Sequence, residues 1–226
     1  MVVTNAISAT ELIQAIERAD SPARLVAAVQ ALVESGWEEG IPTLIRVLGF
    51  NNPAAAAVAV EGLVRFGATA VPTLLQQLDE YNYGARAYSF RALAAIGDPQ
   101  ALDVLLNAAA TDFAPSVRRA AAQGLGNLRW TQLPEEQRQP AQHQALQTLL
   151  SLSHDGEWAI RYATVVGLQA LAITSADTPG ATSTPSTTLT APIRDRLIEM
   201  DQTDPDLAVR SRVWMAQQKL QHLAAS

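Results

Sequence analysis

An all-α chain, built as an α-solenoid of about six helical hairpins, is what three features of the sequence predict. A unit of about 30 residues recurs, with Pro42 set against Pro72 and Gly67 against Gly97. Inside each copy, apolar residues fall at i, i+3 and i+4, as in Ile41, Leu44, Ile45 and Leu48, the period of a helix with one buried face. Strand-like alternation is absent, and abundant alanine lets neighbouring helices approach closely. A lone hairpin cannot bury its apolar stripe. Stacked copies share a core, in which each buried Leu or Val contributes roughly 1.5–3 kcal/mol.

The elements follow in order. "SATE" at residues 8 to 11 is a capping box that starts the first helix, and the looser first copy ends in "LVAAVQALVESG" at Gly36. The next copy, residues 40 to 67, opens "GIPTLIRVL", and its second helix carries Val58, Leu63 and Phe66 toward the core. Proline at the head of a helix is tolerated, because the missing N–H had no intrahelical partner. Residues 70 to 97 repeat this arrangement, and Gly36, Gly67 and Gly97 stand where helices should stop. Further copies cover residues 101 to 128, 145 to 171 and 193 to 220, aligned on Arg118, Arg161 and Arg210. Two segments break the period: the polar, proline-bearing insertion "TQLPEEQRQPAQ" at 131 to 142, and the Ser/Thr/Pro-rich stretch 174 to 192, read as a mobile loop or contact arm. The whole of 1 to 226 is read as a single repeat domain.

Composition narrows the function. The chain has no cysteine, so disulfides, thiolate metal sites and chemistry on its own thiol are excluded. A net charge of −6 with dispersed basic residues argues against nucleic acid. Lys219 is the sole lysine. The arginine bias suits either interhelical ion pairs or recognition of an anionic ligand. His143, His154 and His222 show no metal-ligand spacing, and no nucleophile elbow or glycine-rich phosphate loop is present. Neither a membrane span nor a signal peptide is read, so the expected compartment is the cytoplasm. These features describe a binding scaffold, with no metal and no cofactor.

Chemistry-bearing residues gather at the turns within hairpins. "EYNYGARAYSF" packs Tyr81, Tyr83, Tyr88 and Phe90 into a chain with only 5% aromatics, with Arg86 close by. The equivalent turns read "DFAPSVRR", with Asp112, Phe113, Arg118 and Arg119, and "HDGEWAIRY", with His154, Asp155, Trp158, Arg161 and Tyr162. An aromatic, an acid and an arginine recur at each turn. The arginines can pair with acids of adjacent repeats or meet a ligand. The aromatics combine flat apolar faces with polar tips at positions expected to face solvent.

These two stretches, "DEYNYGARAYSFRALAAIGDPQALDVLL" and "TDFAPSVRRAAAQGLGNLRW", resemble the HEAT-like repeats of the cyanobacterial E/F-type phycobilin lyase family. The stretches "LIQAIERADSPARLVAAVQAL" and "IPTLIRVLGFNNPAAAAVAVEGL" are similar to its F-type subunits. The resemblance covers most of residues 10 to 173. It implies a heterodimer with an E-type subunit that binds phycocyanobilin and adds a cysteine thiol of apo-phycocyanin α to the ethylidene carbon of ring A, making a thioether. Such enzymes can also remove or transfer the bilin, which is substrate and not cofactor. The absence of cysteine agrees with the thiol belonging to the acceptor, and implies attachment without isomerisation. On this resemblance Arg86, Arg118 and Arg161 are expected at the bilin propionates or at the partner, and Tyr81, Tyr83 and Trp158 as stacking surface. Asp112 or Tyr83 would supply the proton that activates the conjugated system. A non-catalytic HEAT-repeat scaffold that binds phycobiliproteins is the alternative.

Overall fold

The computed structural model describes residues 8–79, 81–176 and 185–224. They form twelve α-helices with short 3-10 turns, and no strand occurs among the described residues. The helices gather into two compact units divided after Ile96. The first holds the hairpins α1 (Ala9–Glu17) and α2 (Pro22–Ser35), α3 (Ile41–Val47) and α4 (Pro53–Phe66), and α5 (Val71–Gln76) and α6 (Tyr83–Ile96). The second holds α7 (Leu102–Thr111) and α8 (Pro115–Asn127), α9 (Glu135–Leu152) and α10 (Trp158–Ala176), and α11 (Pro185–Thr203) and α12 (Leu207–Ala224).

Within each unit the second helices form one layer, α2 on α4 on α6 and α8 on α10 on α12; the first helices form the other, with α3 on α5 and α7 on α9 on α11. This is α-solenoid architecture. Ser8 closes the predicted capping box, bonding the amide of Glu11 while the Glu11 carboxylate accepts from the Ser8 amide at 2.8 Å. Gly36 (φ 68°) and Gly97 (φ 68°) end their helices in a conformation that a side chain would strain.

Three expectations change. The buried stripe of α4 is Ala55, Ala56, Ala59, Gly62 and Leu63, while Val58 and Phe66 are only half-buried. Small residues face α2 and α6, because two neighbouring helices leave no room for larger ones; a methyl at Gly62 would collide with Val33. The insertion at 131 to 142 is helical from Glu135, with Glu135 and Glu136 in the favourable first turn and the exposed Pro140 within the helix. The stretch 174 to 192 is helical at both ends, since α10 runs to Ala176 and α11 begins at Pro185; residues 177–184 lie outside the described residues.

The stretch 53–76 is long and apolar enough to meet the length and composition of a membrane span. In the fold it is broken by a 3-10 turn at Gly67–Ala70, and α4 packs against α2, α3 and α6.

Candidate functional site

The turn before α6 is built to present two tyrosines. Asp79 accepts hydrogen bonds from the amides of Tyr81 and Asn82, each at 2.8 Å, and these hold its carboxyl below the usual carboxylate range. Asn82 caps α6 by accepting from the Ala85 amide at 3.0 Å, and its own amide nitrogen reaches the Gly49 carbonyl at 3.4 Å, tying this turn to the one before α4. The result leaves Tyr81 93% exposed and Tyr83 59% exposed, with Phe50, also exposed, on the neighbouring turn. Arg86 points inward. It is buried, and its Nη1 donates to the Asp79 carbonyl at 3.0 Å, bracing the turn from beneath. Arg86, expected at the bilin propionates or at the partner, is thus placed with its guanidinium beneath the turn.

The second unit uses a different device. Asp112 closes its own turn by accepting from the Ala114 amide at 2.8 Å, leaving Phe113 exposed beside it. Arg118 donates through Nε to the Ala109 carbonyl at 3.1 Å and pairs with Asp155 of the next hairpin at 2.6 Å. Arg161 repeats the arrangement one hairpin on. Its Nε and Nη2 bind both carboxylate oxygens of Asp204 at 2.7 and 2.9 Å, and Nη1 donates to the carbonyls of Asp155 and Gly156. Burial is the largest single influence on the Asp204 carboxyl and pushes it up, but the Arg161 hydrogen bonds, the Asp206 amide and the charges of Arg161 and Arg196 together outweigh it and leave the group below its usual range. Arg161, expected at the bilin propionates or at the partner, has a buried guanidinium with four of its N–H donors committed within the protein. Trp158, almost one helical turn before it, remains exposed as expected.

Arg118 also lines a cavity of about 430 Å³ between α7 and α9, with Thr148, Ser151, His154 and Asp155. His154 Nδ1 lies 3.2 Å from Arg196, which is itself anchored to Ser153 by Nε at 2.7 Å and to Glu199 at 2.7 Å.

Two guanidinium groups that the sequence did not single out for a role stand apart from this ladder. Arg119 is partly buried, with Nε shielded from solvent and without a hydrogen-bond partner. Arg212 is partly buried, donates to the neutral Gln169 Oε1 at 2.8 Å, and is pulled below its usual basicity by burial. Neither has a carboxylate partner among the described residues. They sit on α8 and α12, flanking the helix that carries Tyr162 and Gln169. No sequence signal separates Arg119 from Arg118 beyond a one-residue step around the helix. No group of three or more His, Cys, Asp or Glu able to hold a metal occurs among the described residues.

Comparison with known proteins adds a second line. Residues 51–126 match the family of HEAT repeats, and residues 25–50 and 117–155 match the PBS lyase HEAT-like repeat. The chain is 55% identical over 207 residues to the phycocyanobilin lyase subunit beta of Nostoc sp., spanning 92% of this chain and 98% of that one. Over 161 residues it is 52% identical to the phycocyanin alpha phycocyanobilin lyase CpcF of Synechocystis sp., spanning 71% and 75%. Among solved structures, a chain from the complex of CpcE and CpcF of phycocyanin lyase from Nostoc sp. superposes with a TM-score of 0.71 at 57% identity, covering 79% of this chain and 98% of that chain.

Proposed function

The chain belongs to the E/F-type phycobilin lyase family, and we infer from this that it is one subunit of a heterodimeric lyase that attaches phycocyanobilin to the phycocyanin α subunit. The similarity to a chain of a CpcE–CpcF complex, at 57% identity over 98% of that chain, carries the reading. Its partner is an E-type subunit, and its substrates are the bilin and the acceptor protein. The chain lacks cysteine, so the thiol that adds to the ring A ethylidene belongs to the acceptor. The new C–S bond forms as the ethylidene carbon accepts the sulfur and the conjugated system takes up a proton. The cytosol of a cyanobacterium, beside the phycobilisome, is the compartment this reading assigns.

A linear tetrapyrrole offers two propionates and a long conjugated face. The exposed rings of Tyr81 and Tyr83, and separately those of Phe113 and Trp158, are the surfaces suited to that face. Asp112 and Tyr83 are the proton donors proposed for activation of the bilin. For the propionates, Arg119 and Arg212 are better placed than Arg86 or Arg161, because a partly buried guanidinium without a counter-charge gains most from a carboxylate. Arg118 contributes from the wall of the cavity. Holding the bilin in one orientation toward one thiol accounts for rate without a strong base.

Co-expression of this chain with an E-type subunit, apo-phycocyanin α and a phycocyanobilin source tests the reading. Denaturation-resistant bilin fluorescence on the acceptor that disappears when this chain is omitted is the expected result. Attachment at the same rate without it would leave only a scaffold role.

A further inference from the structure

The cavity of about 430 Å³ between α7 and α9 has a wall whose charges are already matched. Arg118 pairs with Asp155 Oδ2 at 2.6 Å, and Asp155 Oδ1 accepts from the Glu157 amide at 2.9 Å. The rest of the polar lining is Gln147, Thr148, Ser151 and His154. Such a wall fits a neutral ligand that both donates and accepts hydrogen bonds.

His154 brings a donor to this wall. Its Nδ1 lies 3.2 Å from Nη2 of Arg196. A guanidinium can only donate, so Nδ1 accepts and the ring proton sits on Nε2. Arg196 is itself anchored: Nε donates to Ser153 Oγ at 2.7 Å, Nη2 to the Ser153 carbonyl at 2.9 Å, and Nη1 pairs with Glu199 at 2.7 Å. The tautomer of His154 is therefore set from α11, as the hydrogen bond on one ring nitrogen sets the role of the other.

A linear tetrapyrrole ends in two lactam rings, each neutral, with a carbonyl acceptor beside an N–H donor. Ring A must stay open to the acceptor's thiol, which leaves ring D for an enclosed site. Arg118 on the cavity wall and Arg119, assigned above to a propionate, are consecutive at the start of α8, and the exposed Phe113 and Trp158 stand at the turns that open α8 and α10. We propose that His154 is a substrate-binding residue, its Nε2–H donating to the lactam carbonyl of ring D seated in this cavity, with Arg196 as the positioning residue that fixes its tautomer. The assignment rests on the lyase reading above. It anchors the unreactive end of the pigment and leaves the ring A ethylidene outside, where one orientation is offered to the thiol.

Two replacements separate the donor from the Arg196 contact. In His154→Gln the side-chain amide nitrogen takes the place of Nε2, whereas in His154→Asn the amide oxygen takes the place of Nδ1 and keeps an acceptor for Arg196. Phycocyanobilin titrated by absorbance into the heterodimer of this chain with an E-type subunit should bind the Gln variant within about twofold of the wild type. It should bind the Asn variant about fivefold more weakly, as for one lost hydrogen bond. Circular dichroism should be unchanged in both, since His154 is exposed. In the proton–nitrogen spectrum of the histidine side chains, the resonance missing from His154→Asn should report the Nε2–H tautomer and shift when the bilin is added. Wild-type affinity in His154→Asn, or an Nδ1–H tautomer, overturns the assignment. A wild-type heterodimer that binds no bilin would instead overturn the lyase reading, and the assignment with it.

Discussion

Arg118 and Arg161 share a sequence register, six residues after an aspartate, and both end in ion pairs with the next turn. Asp155 and Asp204 thus each serve the arginine of the preceding hairpin. Replacing Asp204 with Asn leaves a buried guanidinium short of its charge and should destabilise the protein by about 3–5 kcal/mol at neutral pH. The Asp204 carboxyl titrates lower when folded than its ordinary value of 3.8, so its contribution is complete above that value and is lost as the pH falls through the folded one. Urea melts at a series of pH values should therefore show a steeper acid loss in the wild type than in Asp204→Asn. Arg119→Ala combined with Arg212→Ala should weaken phycocyanobilin binding to the heterodimer by about tenfold or more, read by absorbance titration, because charge-assisted hydrogen bonds are each worth about 1.5–3 kcal/mol. Tyr81→Ala with Tyr83→Ala should slow bilin transfer by about tenfold with helicity intact. The aromatic, acid and arginine at each turn were legible in the sequence. Which arginine faces inward was not, because neighbours on a helix differ by about 100° and the next repeat decides which side is covered.

At the level of elements, α8 and α10 meet backbone to backbone. A methyl on Gly167 would strike the Ala122 carbonyl, and one on Gly126 the Gly167 carbonyl. Trp130 Nε1 donates to Thr174 Oγ1 at 3.1 Å, and that hydroxyl donates to the Gly126 carbonyl at 3.1 Å, closing the contact at its far end. Gly167→Ala should cost about 1–3 kcal/mol and lower Tm by roughly 2–4 °C for each kcal/mol, whereas Gly156→Ala, with open space around it, should leave Tm near that of the wild type in the same scan. Helix starts at Pro42 and Pro72 and stops at Gly36 and Gly97 were readable locally, since φ restriction and a missing donor act within a few residues. The extension of α9 back to Glu135 was hidden by its polar composition. Its buried apolar stripe, Ala141, Ala145, Leu146, Leu149 and Leu152, begins only at Ala141, so the first turns of the helix carry no periodic signal.

On the scale of the whole molecule, each hairpin of the second unit depends on the next for burial and for charge. Removing residues 185–226 would expose Val165 and strip Arg161 of Asp204, so the shortened chain should aggregate, measurable as loss of the monomer peak in size-exclusion chromatography. The sequence by itself determined the helical hairpins, their period, the family and the absence of a thiol, because these follow from local conformational preferences and from residue identity. Only the tertiary structure decided which guanidinium groups are consumed by the stack and which remain for a ligand or a partner. That choice is made by carboxylates some 40 residues away in the chain, brought within 3 Å by packing that no local pattern encodes.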